Sequence, residues 1–203
     1  MSLSIFSEQI QQQIIKSGLK ELTDDQISIL KSLKSGQDFL FEGFELEDIL
    51  TLSALTLVQR IPADEGELFP RALVLCSEID TCMKLEVKLN AFAKITGLVS
   101  LVTHDKGKRI EQRNNLYNGC DIVIANPRRA GELYFQNGIN LKSLKVIIML
   151  DSNEISKIGG LTPIARLNES INKCQKIAFY NEMTTKLEEF YEEFLINPKT
   201  IEK

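Results

Sequence analysis

Asn118-Gly119-Cys120-Asp121-Ile122-Val123-Ile124-Ala125-Asn126-Pro127-Arg128-Arg129 decides how this chain is read. From Asp121 to Ala125 the apolar residues are continuous rather than alternating, which marks a strand buried on both faces. Directly after it, Arg128 to Phe135 has helical period. A doubly buried strand that feeds a helix is the repeating unit of a parallel sheet covered by helices on each side.

The same unit recurs on either side of this stretch. Apolar runs stand at Asp38-Phe39-Leu40-Phe41, Ala72 to Cys76, Leu98 to Thr103, Val146 to Leu150 and Lys176 to Phe179. Between them, Asp80 to Ile95, Lys108 to Tyr117, Ile164 to Ile171 and Thr184 to Leu195 read as helices, the first with Met83, Val87 and Phe92 near one face. This alternation predicts an α/β fold with a mostly parallel central sheet and right-handed crossovers. Before the first strand, Ser7 to Lys16 and Thr23 to Leu33 read as two helices, with Gly18 stopping the first and Thr23 as N-cap of the second. Ala63 to Glu67 is an acidic loop. One domain is the simplest organisation, with residues 1–35 as a helical segment and 36–203 as the α/β core.

Composition narrows the function. The chain has 203 residues, 43% hydrophobic and 26% charged, and a net charge of −4, so any nucleic-acid contact must come from a local basic patch. Four cysteines and one histidine form no zinc pattern, and no metal site is expected. Cys76 and Cys120 read as buried free thiols, which fits a reducing, cytoplasmic setting. No signal peptide is read between Met1 and Lys20, and no apolar stretch approaches the ~20 residues a membrane span needs.

Ligands of open parallel sheets bind at the carboxyl ends of the strands. The residues there, taken in order, resemble the first RecA-like domain of the DEAD-box RNA helicases. Gly18 to Gln26 resembles the family's glutamine motif, whose glutamine reads adenine, with Phe6 as the upstream aromatic. Gly36-Gln37-Asp38-Phe39-Leu40 is similar to the strand before the phosphate loop. Pro70 to Leu75 matches the strand before the first RNA-contacting motif, whose own place is taken by Ser77-Glu78-Ile79-Asp80-Thr81. Asn118 to Arg129 resembles Gly-x-Asp-Ile-Val-Val-Ala-Thr-Pro-Gly-Arg, the turn that clamps the RNA backbone. Leu144 to Glu154 resembles the strand ending in Asp-Glu-Ala-Asp. Counting without a gap from Arg129 puts the two key carboxylates at Leu150 and Asp151, and a one-residue shift puts them at Asp151 and Ser152. Lys176 to Met183 resembles the strand ending in Phe-Ser-Ala-Thr-Met, and Asn197-Pro198-Lys199-Thr200-Ile201 the closing segment.

The resemblance implies a three-layer fold, ATP and Mg²⁺ as cofactors, and RNA as partner. The functional residues depart from it. A phosphate loop needs glycines, a lysine for the β and γ phosphates, and a Ser/Thr on Mg²⁺. Here the stretch reads Gly43-Phe44-Glu45-Leu46-Glu47-Asp48-Ile49-Leu50, with Ile49 in the lysine's place and Leu50 in the threonine's. A like-charge contact at ~4 Å costs on the order of 4 kcal/mol at an effective dielectric near 20. Three carboxylates therefore rival the roughly −8 kcal/mol of micromolar binding. Glu45, Glu47 and Asp48 are equally the acidic first turn of a helix. The remnants of a nucleotide site are thus Gln26, Gly43 to Leu50, Asp151, Ser152 and Glu154. Candidate RNA contacts are Asn126, Pro127, Arg128, Arg129, Lys108 and Arg109.

No catalytic residue and no bound cofactor are expected. The chain reads as a non-catalytic module for RNA or for a protein, without a second motor domain. The alternatives are part of an active or divergent ATP-dependent RNA helicase, and a domain that binds nucleotide without hydrolysis.

Overall fold

The computed structural model describes residues 4–16, 22–61 and 69–203. Two helices, α1 (Glu8–Lys16) and α2 (Asp24–Leu33), precede the sheet. Then strands and helices alternate: β1 (Phe39–Glu42), α3 (Leu46–Arg60), β2 (Ala72–Leu75), α4 (Ile79–Thr96), β3 (Ser100–Thr103), α5 (Arg109–Tyr117), β4 (Ile122–Ala125), α6 (Pro127–Phe135) and β5 (Val146–Met149). Helices α7 (Ser152–Lys157) and α8 (Leu161–Asn168), strand β6 (Gln175–Tyr180), helix α9 (Thr185–Phe194) and strand β7 (Lys199–Glu202) complete the order. The sheet has seven strands in the order β3-β4-β2-β5-β6-β1-β7, and every pairing is parallel.

The continuous apolar runs are explained by two separate cores. Successive side chains of a strand point to opposite faces. Ala72 and Val74, Ile122 and Ile124, and Val146 and Ile148 pack with α1 to α4 on one face. Leu73 and Leu75, Val123 and Ala125, and Ile147 and Met149 pack with α5 to α9 on the other. The three-layer α/β architecture expected from the sequence is the observed one.

Local signals set the helix ends. Thr23 caps α2 in a reciprocal box with Gln26: the Thr23 hydroxyl accepts from the Gln26 N–H (3.2 Å) and Gln26 Oε1 accepts from the Thr23 N–H (3.0 Å). Asn126 caps α6 and Pro127 occupies its first turn, where a missing N–H costs nothing. The stop at Gly18 and the acidic loop at Ala63 to Glu67 lie outside the described residues.

Three expectations are corrected. On α4 the buried residues are Cys82, Leu85, Leu89 and Phe92, whereas Met83 and Val87 face solvent. The core stripe is rotated by about one residue from the face read in the sequence, because α1 and α3 both cover it. The helix expected over Ile164 to Ile171 starts and ends three residues earlier, at Leu161 and Asn168. Cys76 is not a free thiol: it is bonded to Cys82, their Cα atoms 6.3 Å apart. The short turn from the end of β2 into α4 brings both sulfurs to the same core, so Cys76 lends no support to a reducing compartment. Cys120 is free and buried, its thiol pushed up to about 12 by burial and by Asp121.

A buried ion pair fastens the amino ends of three strands. Arg71 is fully enclosed, and its guanidinium donates to Asp121 Oδ1. Asp121 Oδ2 accepts from the Val99 N–H (2.8 Å), and the Arg71 N–H donates to the Asp121 carbonyl (2.8 Å). Removing one partner of such a pair leaves an unpaired buried charge. Arg71→Met and Asp121→Asn should each lower unfolding free energy by about 3–5 kcal/mol in urea titrations. A paired apolar replacement should cost less than either single change. Losses under about 1 kcal/mol for both singles would show that the pair does not hold the strand ends.

Candidate functional site

The carboxyl ends of the strands form the edge at which such sheets bind ligands. The turn after β1 is only three residues long, Gly43-Phe44-Glu45, before α3 begins at Leu46. Gly43 takes φ +74°, a conformation that favours glycine, and its N–H donates to the Tyr180 carbonyl (3.0 Å). Phe44 then turns inward. Its ring stands edge-on to Phe41 at 5.4 Å and Phe179 at 6.2 Å.

From Leu46 onward the chain is helix rather than loop. Glu45 is the N-cap residue without a side-chain cap bond, and Glu47 and Asp48 sit in the first turn. Ile49 and Leu50 are core residues, 7% and 2% exposed. Both side chains therefore point into the apolar layer under β1. The carboxylates have partners of their own. Lys88 pairs with Glu47. Asp48 accepts from Gln26 Nε2 (3.1 Å) and pairs with Lys203. Gln26 is thus committed at its oxygen to the α2 cap and at its nitrogen to Asp48.

Sequence reading missed the partners that close this edge. Tyr180 donates to Glu42 Oε2 (2.9 Å), and its hydroxyl is pushed up to about 12 by burial and by the carboxylates of Glu42 and Glu202. Asn153 joins the ends of β5 and β6, accepting from the Asn181 N–H (2.8 Å) and donating to the Glu182 carbonyl (2.7 Å). Asp151 accepts from the Ser77 N–H at both oxygens (3.0 and 3.1 Å) and from the Ser77 hydroxyl. Lys203 is 155 residues from Asp48, and no local pattern announces such a contact. Ser152 is fully buried, and Glu154 is solvent-facing and paired with Lys157 (2.6 Å). Asp151 and Glu154 are thus separately engaged.

The basic edge divides. Arg129 is 5% exposed. Its Nε donates to the His104 carbonyl (3.1 Å) and its Nη2 to the carbonyls of Asp105 and Gly107 (both 3.0 Å). Its Nη1 pairs with Glu132 (3.2 Å). This arginine fastens the loop after β3 to α6. Asn126 and Pro127 build the start of α6. Arg128, Lys108 and Arg109 face solvent; Arg128 shares Glu132 (3.2 Å), and Lys108 pairs with Glu111 (3.0 Å). Among the described residues no cluster of three His, Cys, Asp or Glu side chains could hold a metal ion, and no helix is long and apolar enough to cross a membrane.

Asp151 supplies a test of this geometry. Burial pushes its carboxyl up to about 6 from 3.8; the Ser77 hydrogen bonds pull the other way, and Glu154 and Glu78 add to the rise. Between these two values the unfolded chain has lost the proton and the folded chain still holds it. Stability therefore falls as pH rises through this window, by at most about 3 kcal/mol. Asp151→Asn should remove that slope between about pH 4 and pH 6 in urea unfolding. An identical slope in variant and parent would place the proton elsewhere.

Comparison with known proteins agrees with this fold. No family model matches the chain. ATP-dependent RNA helicase DDX42 of Homo sapiens is 23% identical over 199 residues, 95% of this chain and 21% of the helicase. DEAD-box ATP-dependent RNA helicase 52A of Oryza sativa is 25% identical over 107 residues, 53% of this chain and 18% of its own length. Among solved structures, a DEAD box protein from Methanococcus jannaschii superposes with a TM-score of 0.86 at 17% identity, over 97% of this chain and 54% of that one. The RNA helicase Prp28 from Chaetomium thermophilum, bound to ADP, gives 0.86 at 18% identity, over 98% and 49%. The chain thus spans about a fifth of these curated relatives and about half of the solved chains. The chain thus has the RecA-like α/β architecture of these solved DEAD-box proteins and is similar in sequence to DEAD-box RNA helicases along nearly its whole length.

Proposed function

We propose that residues 1–203 form one motor-type domain that neither binds nor hydrolyses ATP and works as a binding module. The stretch from Gly43 to Leu50 carries this reading. A phosphate cradle needs free backbone N–H groups, a lysine and a metal-holding hydroxyl. Here the loop is three residues, Phe44 is packed inward, and Ile49 and Leu50 belong to the core. Gln26, the residue that would read a base, is bonded at both ends. Hydrolysis also needs a metal-held phosphate and a carboxylate that orients water. Asp151 is engaged by Ser77, and Glu154 by Lys157.

RNA is the partner that the exposed cations Arg109 and Arg128 favour, since they sit at the edge where relatives named as RNA helicases carry the same fold. Such contacts would be to phosphates and would be salt-dependent.

Two measurements test the reading. ATP, ADP or AMP at millimolar concentration should leave the melting temperature unchanged, whereas a ligand at 100 times its Kd would add about 2.7 kcal/mol. RNA-stimulated phosphate release by the pure chain would overturn the proposal. Restoring the missing residues should not rescue the site: Ile49→Lys with Leu50→Thr should destabilise the fold by roughly 2–5 kcal/mol, because both positions are core. For RNA, the double variant Arg109→Ala, Arg128→Ala should weaken single-strand binding and flatten its log–log salt slope by about 0.7 per arginine. An unchanged slope would exclude these arginines as phosphate contacts.

A further inference from the structure

The opposite edge of the sheet, at the amino ends of the strands, carries features the nucleotide edge lacks. A cavity of about 720 Å³ opens there, lined by Phe69 and Pro70 before β2, Tyr117 at the end of α5, and the segment after α6. That segment is shaped by the end of α6. The Asn137 N–H donates to the Tyr134 carbonyl (3.0 Å) and the Gly138 N–H to the Leu133 carbonyl (2.7 Å), with Asn137 at φ +54°. This is a Schellman ending. It turns the chain back sharply and leaves Phe135 on the rim beside Tyr134, their ring centroids 5.4 Å apart. A Cβ on Gly138 would lie 3.1 Å from the Leu133 carbonyl oxygen and 3.2 Å from Arg113 Cγ, so the Arg113 stem borders the same groove.

Two properties single this groove out. First, Tyr117 is 88% exposed, Phe135 57% and Phe69 47%, three aromatics at one cavity that the described residues leave uncovered. Aromatic side chains of this kind are the common anchors of protein interfaces. Second, the chain has 28 Asp and Glu against 24 Lys and Arg, yet none of the thirteen lining residues is acidic. Lys142 lies in the lining and Arg113 against it; both are exposed, and neither is in an ion pair among the described residues. A second cavity at this edge, of about 490 Å³, is lined by Lys145, Lys173 and Arg60 together with the buried Asp38.

We infer that this groove docks an acidic peptide segment of a protein partner, a bulky apolar side chain entering between Phe69, Tyr117 and Phe135 while carboxylates meet Arg113 and Lys142. The apolar walls favour a peptide over a nucleic acid, since the cations stand at the rim rather than in a track along it. The inference rests on the binding-module reading and goes beyond its RNA contacts: it adds a second surface, at the opposite edge, for a protein partner.

The test uses the full chain and a fluorescent peptide of about a dozen residues, with Glu and Asp around Leu and Trp anchors. A counterpart carries Lys in place of each acid, and a single-stranded RNA of similar length is the third probe. The acidic peptide should bind at least about tenfold tighter than its lysine counterpart. Arg113→Glu with Lys142→Glu, and separately Phe135→Ala with Tyr117→Ala, should each weaken it about tenfold. All four positions are exposed, and unchanged melting curves verify that the variants are folded. Equal binding of both peptides, binding that ignores both double variants, or RNA binding lost through the same four residues would each overturn the groove assignment. The nucleotide assays are run on the same preparations. Absent peptide binding with no nucleotide effect sinks only the groove, whereas stabilisation by ATP sinks the reading beneath it.

Discussion

Helix α3 is enclosed on all sides, and the rest of the structure is arranged around that fact. Ten consecutive residues, Ile49 to Val58, are buried. A helix buried all round has no solvent face on which to place polar side chains. It lies against the sheet through β1 and β2 and is covered by α2 and α4. Its start is therefore fixed by packing: once Ile49 and Leu50 are in the core, the turn after β1 must be short and Phe44 must close it.

A phosphate loop and this helix start make opposite demands on the same atoms. The loop must present unpaired N–H groups around an anion and keep its side chains small. Here the first turn instead carries Glu47 and Asp48, which suit the positive end of the helix dipole without any ligand. Lys88, Gln26 and Lys203 answer those carboxylates from α4, α2 and the end of β7. Charges that would repel a triphosphate thus serve to hold three elements to α3. The neighbouring strand ends are joined in the same manner, Tyr180 to Glu42 and Asn153 to the turn after β6. At this edge the strand ends are joined to one another by bonds within the chain.

Much of the fold was legible because doubly buried strands need unbroken apolar runs, and five of the seven strands have them; the edge strand β3 is broken at Ser100 and only partly buried. β7 lacks one: it is an edge strand, largely exposed, and only the Asn-Pro context located it. The stripe on α4 was misread because Met83 and Val87 are apolar yet exposed, and hydropathy alone cannot tell which apolar face is covered. Helix α3 was half hidden by Thr51, Ser53 and Thr56, polar residues inside a buried helix. Of the candidate site, the burial of Ile49 and Leu50 could be read from their residue types. The bonds nearby could not, because Lys203 and Asp48, or Ser77 and Asp151, meet only through the strand order. Arg129 shows the limit of reasoning from residue type. Its position after a strand suggested a phosphate contact, but three carbonyls of the loop after β3 take up its donors.

The two ends of the sheet differ in what they expose. At the carboxyl edge Gln26, Asp48, Asp151, Asn153 and Arg129 all have partners in the chain. At the amino edge the deepest groups also have partners, though not at every atom: Arg71 holds Asp121 through one nitrogen, and Asp38 accepts from the N–H groups of Lys176 (2.7 Å) and Ile196 (2.8 Å). Outside that sealed layer stand Tyr117, Phe135 and Phe69 with Arg113 and Lys142, neither covered nor paired among the described residues. Exposed aromatics gain most from being covered, and unpaired cations set the sign of what covers them. At the amino edge exposed aromatics and unpaired cations thus stand at one groove, the combination that a partner of opposite charge with apolar side chains would cover.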